Sequence, residues 1–341
     1  MTKTSAPTTR RISRRQILKA ASGTAALLAA AKLNFPAGAL AQGAGPEVKG
    51  AKLGFIALTD ASPLFVAPEK GIFAKYGVDF TVTGFTGDAK MQEGMAAGSV
   101  DIGLGGGPAM AFAAKGAPVL AVAAFAGAPS DIALAVKADS PIKTIADLRG
   151  KRVAVSSPGS LTDWLGHQIP LHQGWDAKSV DVVPTGAGPA MISALLTGSI
   201  DAGITTTGAA LVLEEKKQGR ILATMDKFEP HFITHVVFAH RQFLDQHPDA
   251  VDAFLKGFFA TIAYMRGHKD ETVAIATAAL NQSPEVVKKS YDLLMPQLLK
   301  DGTFDPASLA KIKSSFLDMK ILPSAPSDDQ ILTRRFLPVK F

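Results

Sequence analysis

The 341-residue chain contains no cysteine. That excludes disulfides, thiolate metal sites, cysteine nucleophiles and lipid attachment at a lipoprotein cysteine. Charge is sparse, at 19% of residues against 47% apolar, which excludes a disordered chain and leaves ample material for a core. No uncharged apolar stretch reaches the roughly 20 residues that a membrane-spanning helix needs. A basic excess is also missing from most of the chain. The formal charge is +6, but residues 1–41 hold seven basic residues and no acid. The remainder has 29 basic and 30 acidic residues, a net of −1. It carries no basic stripe and no nucleic-acid motif, so nucleic acid is not an expected partner.

What is present begins with a targeting pattern. Ser13-Arg14-Arg15-Gln16-Ile17-Leu18-Lys19 reads as a twin-arginine export motif. An Ala- and Leu-rich stretch, Ala20 to Ala31, follows, and Ala39-Leu40-Ala41 makes a small-x-small cleavage site before Gln42. The spacing of arginine pair, apolar middle and small-residue end favours an export signal over an amphipathic surface helix. Residues 1–41 are therefore expected to be a signal peptide, with the protein exported to the periplasm.

Beyond Gln42, short apolar runs alternate with helical patterns. Strands are expected at Leu53–Leu58, Val78–Thr83, Val100–Gly103, Pro118–Phe125, Ile132–Val136 and Val153–Ser156. A helix capped by Asp60 or Ser62 is expected to run from Pro63 to Tyr76 and end at Gly77. Others are expected at Lys90–Ala97 and Pro108–Lys115. Strands separated by helices of this length imply parallel α/β architecture. From Gln242 onward helices dominate, at Ala250–Arg266, Glu271–Leu280, Glu285–Leu294 and Ala307–Met319. Pro248, Pro284 and Pro306 sit near their starts, where a missing N–H is harmless.

The chain also repeats itself. Gly98-Ser99-Val100-Asp101-Ile102-Gly103 returns as Gly198-Ser199-Ile200-Asp201-Ala202-Gly203, and Met91 has its counterpart in Met191. Two related α/β lobes are expected, with a cleft between them. Ligands of open α/β sheets bind beyond the carboxyl ends of the strands. The loops there, Thr59–Pro63, Phe85–Ala89, Gly105–Pro108, Ser156–Asp163, Thr185–Pro189 and Thr205–Gly208, are rich in Gly, Ser and Thr and lead into helices. Helix N-termini offer free N–H groups and a positive dipole end, which suits a polar or anionic ligand.

These residues resemble a known family. Gly98 to Gly103 with Gly106-Gly107-Pro108 is similar to a stretch in periplasmic solute-binding proteins of ABC importers. The branch is the sulfonate/nitrate/taurine type, grouped with the thiamine-pyrimidine-precursor proteins. Asp139-Ser140-Pro141 through Asp147-Leu148-Arg149-Gly150-Lys151-Arg152-Val153 resembles the opening of that family's second lobe. Leu58 to Pro63, with Glu69-Lys70-Gly71-Ile72-Phe73-Ala74-Lys75-Tyr76-Gly77, looks like the nitrate and bicarbonate branch.

The resemblance implies a type II periplasmic-binding-protein fold, with two α/β lobes joined by a hinge and a helical C-terminal part. Lobe 1 would be 42–128 plus 234–341, and lobe 2 would be 129–233. Crossings near Ala126–Ser130 and Lys227–Thr234 would form the hinge. It implies ligand contacts from Thr59, Asp60 and Ser62, from Thr86 and Gly87, and from Gly106 and Gly107. In the second lobe it implies Gly159, Ser160, Leu161 and Thr162, then Thr206 and Thr207. The sulfonate binders would carry an aromatic and an acid near Thr205–Thr207, and this chain has neither. None of these loops supplies an Arg clamp. Lys90 is the nearest cation, readable also as a solvated helix residue. The implied partners are a small organic or oxyanion solute and an ABC permease in the inner membrane, with the protein a monomer.

No cofactor and no catalysis are expected. The pyrimidine synthases of this fold use a cysteine-rich iron motif, which this chain lacks. Ser156-Ser157-Pro158-Gly159-Ser160 is not a nucleophile elbow. His231 and His235 are four apart, but on a strand that separation is about 13 Å, too far for one metal. Trp164 and Trp175 read as packing residues. A solute receptor is the reading adopted. A ligand sensor for a signalling partner, a pyrimidine-precursor binder and an enzyme of the same fold remain alternatives.

Overall fold

The computed structural model describes residues 48–56, 62–85, 87–158 and 160–341. The export-signal reading and the expected ligand residues Thr59, Asp60, Thr86 and Gly159 lie outside them. The first part of the chain alternates β1 (Val48–Ile56), α1 (Pro63–Glu69), α2 (Ile72–Lys75), β2 (Val78–Phe85), α3 (Asp88–Ala96), β3 (Ile102–Gly106), α4 (Met110–Ala114) and β4 (Val119–Ala126). Next come β5 (Ile132–Lys137), β6 (Arg152–Val155), α5 (Leu161–His172), β7 (Asp181–Pro184), α6 (Pro189–Thr197), β8 (Ala202–Thr206), α7 (Thr207–Glu215) and β9 (Gly219–Thr224). Strand β10 (His235–His240) is followed by α8 (Arg241–Gln246), α9 (Pro248–Gly267), α10 (Lys269–Leu280), α11 (Pro284–Leu294), α12 (Pro306–Asp318) and α13 (Asp328–Ile331).

Two five-stranded sheets result, in the orders β2-β1-β3-β10-β4 and β7-β6-β8-β5-β9. They share one plan. In each, three strands run parallel, and a strand that has crossed over from the other stretch of chain is inserted antiparallel beside them: β10 in the first sheet, β5 in the second.

The sequence repeat is the hydrogen-bonding counterpart of this plan. Asp101 Oδ2 accepts the Lys52 backbone N–H at 2.8 Å, and Asp201 Oδ2 accepts that of Arg152 at 2.9 Å. The Lys52 ammonium donates to Gly98 O at 2.8 Å, and the Arg152 guanidinium donates to Gly198 O at 3.0 Å. Gly98 and Gly198 both hold the left-handed backbone (φ +69° and +76°) that only glycine adopts without strain. Met91 Sδ lies 3.1 Å from where a Gly103 Cβ would sit, and Met191 Sδ lies 3.1 Å from the same place at Gly203. Each copy thus clamps one strand to the start of the next. The Arg152 guanidinium holds the Asp201 carboxyl below its ordinary value.

Two expected elements fall differently. The helix expected over Pro63–Tyr76 is divided at Lys70-Gly71, because Gly71 takes φ +62° and ends the first segment. Ser62 precedes it, but its side chain makes no cap hydrogen bond. The strand expected at Val100–Gly103 instead runs Ile102–Gly106. Its glycine end is drawn into the ladder by β10, with His235 opposite Gly106 and Val236 opposite Gly105. That pairing partner lies some 130 residues downstream, so local sequence gave no sign of it.

One main core packs α9 against the first sheet. Val251, Phe254, Leu255, Phe258, Phe259, Ile262 and Met265 recur at helical spacing and are buried. Phe254 meets Phe73 and Phe80, with ring centroids 6.0 and 5.4 Å away. Each such side chain contributes about 1.5–3 kcal/mol on burial.

Glycine is obligatory where β3 meets the second crossing. Gly107 donates its N–H to Thr234 O at 2.8 Å. A Cβ on it would stand 2.0 Å from Ile233 O, and backbone cannot give way there. Gly87 has extended backbone and open space around it. Gly107→Ala is expected to lower unfolding free energy by about 3 kcal/mol or more, and Gly87→Ala by less than about 1 kcal/mol. Urea denaturation of the two variants checks the contrast.

Candidate functional site

The strand directions bring the chemistry to one edge of each sheet. The C-terminal ends of β1 and β3 lie beside the N-terminal end of β10. The C-terminal ends of β6 and β8 lie beside the N-terminal end of β5. Both chain crossings, 127–131 and 225–234, run between these edges. Hydrogen bonds fasten them. Thr207 donates its N–H to Asp131 O and its Oγ1 to Ser130 O, at 2.6 and 2.8 Å. Thr234 N–H reaches Ala126 O at 3.0 Å. His235 Nε2 lies 3.0 Å from Asp131 Oδ2, both side chains being at most 5% exposed. The His235 ring also stacks on Phe125, centroids 5.5 Å apart. His235 is thus a buried pin between the crossings, on a strand as expected.

The expected ligand residues divide into two groups. Gly106, Gly107 and Thr207 have their donors engaged inside the protein: Gly106 N–H is held by Asp88 Oδ1 at 2.8 Å, Gly107 by Thr234 and Thr207 by the 130–131 backbone. Thr206 caps α7, its Oγ1 accepting the Ala209 N–H at 3.2 Å. Ser62 is buried at the start of α1, and Gly87 precedes α3. The other group is a hydroxyl knot at the N-terminus of α5. Ser156 Oγ lies 3.0 Å from Ser160 Oγ and 2.8 Å from Thr162 Oγ1, which are themselves 3.0 Å apart. Ser160 is also the N-cap, accepting Asp163 N–H at 3.2 Å, and Leu161 is the first helical residue. All four of these residues are half-buried. Helices of this length leave their first amides without an intrahelical acceptor, which adds donors beside the hydroxyls.

Sequence reasoning missed Asp88. Its carboxylate lies across the end of β3. A Cβ at Gly105 would be 2.5 Å from Asp88 Oδ1, and one at Gly106 2.8 Å from Oδ2. The consecutive glycines are what admit it, and they were the available signal. Burial pushes the Asp88 carboxyl above its ordinary value, against the opposing pull of the Gly106 N–H and the His235 ring. Lys90, by contrast, pairs with Glu93 at the surface, both 65% exposed.

A separate groove of about 450 Å³ lies where α5, the second crossing and α12 meet, lined by His172, Phe228, Glu229, His231, Lys311 and others. The buried Glu229 carboxylate stands 3.1 Å from both His172 Nε2 and Lys311 Nζ. Trp164, beneath it, stacks on Phe232 at 4.7 Å and donates Nε1–H to Asp318 at 3.2 Å, which is packing rather than ligand stacking. Trp175 is half-buried under Arg149. Among the described residues no group of three or more metal-ligating side chains is gathered.

The family described as NMT1/THI5 like matches residues 58–272, a range that takes in every strand of the two sheets except β1. The chain belongs to the NMT1/THI5-like family. NrtA, the nitrate/nitrite binding protein of Synechococcus elongatus, is 30% identical over 308 residues, covering 82% of this chain and 68% of NrtA. THI5, the 4-amino-5-hydroxymethyl-2-methylpyrimidine phosphate synthase of Saccharomyces cerevisiae, is 28% identical over 217 residues, 60% of this chain and 62% of the synthase. The crystal structure of SsuA, the periplasmic aliphatic sulphonate binding protein of Escherichia coli, matches with a TM-score of 0.71 at 20% identity, over 84% of this chain and 92% of that one. That likeness shows the fold: this NMT1/THI5-like chain has the periplasmic-binding-protein architecture that the resemblance implied.

The raised carboxyl sets a stability signature. Native Asp88 holds its proton to higher pH than it does in the unfolded chain, whose ordinary value is 3.8. Its contribution is present in full below that value and is lost as pH rises through the raised one. Asp88→Asn removes the loss while keeping an oxygen for the Gly106 N–H. The variant is expected to melt above the parent at pH 7, with the gap closing toward pH 3.5. Melting temperatures across that range check the sign.

Proposed function

We propose that this protein is an extracytoplasmic solute receptor of an ABC import system. It binds a small organic or oxyanion solute between the two sheet edges and delivers it to an inner-membrane permease. The observation that carries the reading is the pairing of two like sheets whose ligand-type edges share both chain crossings, with the Ser156–Ser160–Thr162 knot on one edge. The names of NrtA and SsuA support it, since both are binding proteins. In this reading residues 42–128 with 234–341 form one lobe and 129–233 the other. The crossings are the hinge, and ligand draws the closed form out of an open–closed equilibrium. Residues 1–41 direct export to the periplasm through the twin-arginine route. The receptor performs no catalysis; the cysteine chemistry available to other chains is closed to this one.

The test begins with a thermal-shift screen against sulfonates, nitrate, bicarbonate, carboxylates and pyrimidines, because a ligand of the native state raises its melting point. Calorimetry with the compound found then compares variants. Ser160→Ala is expected to weaken binding by roughly 1–3 kcal/mol. It should lower unliganded stability by only about 1 kcal/mol, the value of a cap. Ser324→Ala, on an exposed C-terminal turn, should bind as the parent does. Affinity unchanged in both Ser160→Ala and Thr162→Ala would remove the α5 N-terminus from the site.

A further inference from the structure

Among the described residues, Asp88 is the one carboxylate that the fold lays across the glycine end of β3, at the edge where the ligand is proposed to sit. Its two oxygens are not equivalent. Oδ1 accepts the Gly106 N–H at 2.8 Å. Among the described residues Oδ2 accepts no hydrogen bond, and the residue is only half-buried. No lysine or arginine salt-bridges to Asp88 among those residues; Lys90, two residues on, is turned to Glu93. The positions that a Cβ would occupy at Gly105 and Gly106 are filled by the Asp88 carboxylate itself, so the glycines and the acid form one fitted unit. His235, opposite Gly106 in the ladder, is turned to Asp131.

A carboxylate in this place discriminates by sign. A bare oxyanion brought against Oδ2 would set two acceptors face to face, at a site where water is partly excluded. A solute with an N–H group can donate to Oδ2 and leave its acceptor atoms for the hydroxyls and amides at the start of α5. We propose that Asp88 is the specificity-determining residue of the cleft, selecting a solute that carries an N–H donor or ammonium group over a bare oxyanion. The proposal rests on the receptor reading above and narrows its ligand to nitrogen-bearing organic solutes.

Matched probe pairs test it: 4-aminopyrimidine against pyrimidine, 2-aminoethanesulfonate against ethanesulfonate, and 3-aminopropionate against propionate, with nitrate and bicarbonate as donor-free anions. Binding to the parent and to Asp88→Asn is followed by calorimetry. The parent is expected to favour the donor-bearing member of whichever pair binds by at least about tenfold, since a site built for a donor rejects the analogue without it. Asn keeps its oxygen on Gly106 and turns an NH2 toward the cleft. The preference should therefore fall below about threefold, with unliganded folding retained by circular dichroism. Binding of a donor-free member or of nitrate as tightly as any donor overturns this proposal alone. So does a preference unchanged in Asp88→Asn. Failure of every probe to bind the parent overturns the receptor reading, and this proposal with it.

Discussion

The structure depends on how closely the two chain crossings approach the end of β3. Gly107 stands so near Ile233 O that no side chain fits between them. Next to that contact, the His235–Asp131 pair is buried where one crossing ends and the other begins β5. Neither partner of such a pair tolerates loss of the other, because a buried polar group left without its hydrogen bond costs about 1–3 kcal/mol. The contact therefore fixes the register of β10 against β3, which fixes where Gly105 and Gly106 end, and so where Asp88 can lie. In the proposed receptor, such an anchor would hold the strands on either side and leave motion to the few residues between them.

Much of this arrangement was legible in the sequence. The hundred-residue repeat announced two like sheets, and the structure shows why its residues recur: each copy of Gly-Ser-Val/Ile-Asp carries a clamp to a cation 49 residues earlier. The helical tail, marked by Pro248, Pro284 and Pro306, follows from local rules alone. The strand at Ile102–Gly106 did not, because its extent is set by a partner more than a hundred residues away. The same distance hid the real work of Gly106, Gly107 and Thr207, whose donors are engaged by Asp88 and by the crossings. Ser160 and Thr162 were placed at a helix start by sequence and lie at one. Asp88 was passed over because it falls inside the expected loop Phe85–Ala89, with the helix expected only from Lys90; the helix begins at Asp88, and the glycine strand beside it gives it its role.

Electrostatically, the two edges are unlike. One presents hydroxyls and a helix N-terminus, which favour acceptors. The other presents the Asp88 carboxylate, whose pKa burial raises above its ordinary value. Relatives of the chain are named for nitrate/nitrite binding and for pyrimidine phosphate synthesis; under the proposal, the unlike edges are what would let this fold separate solutes of different charge.

The central claim is that the two sheets close on a solute about the pinned crossings. Small-angle scattering of the protein with and without a saturating ligand from the thermal-shift screen tests it most directly. The account predicts a smaller radius of gyration with ligand. A scattering curve unchanged at saturation would contradict it.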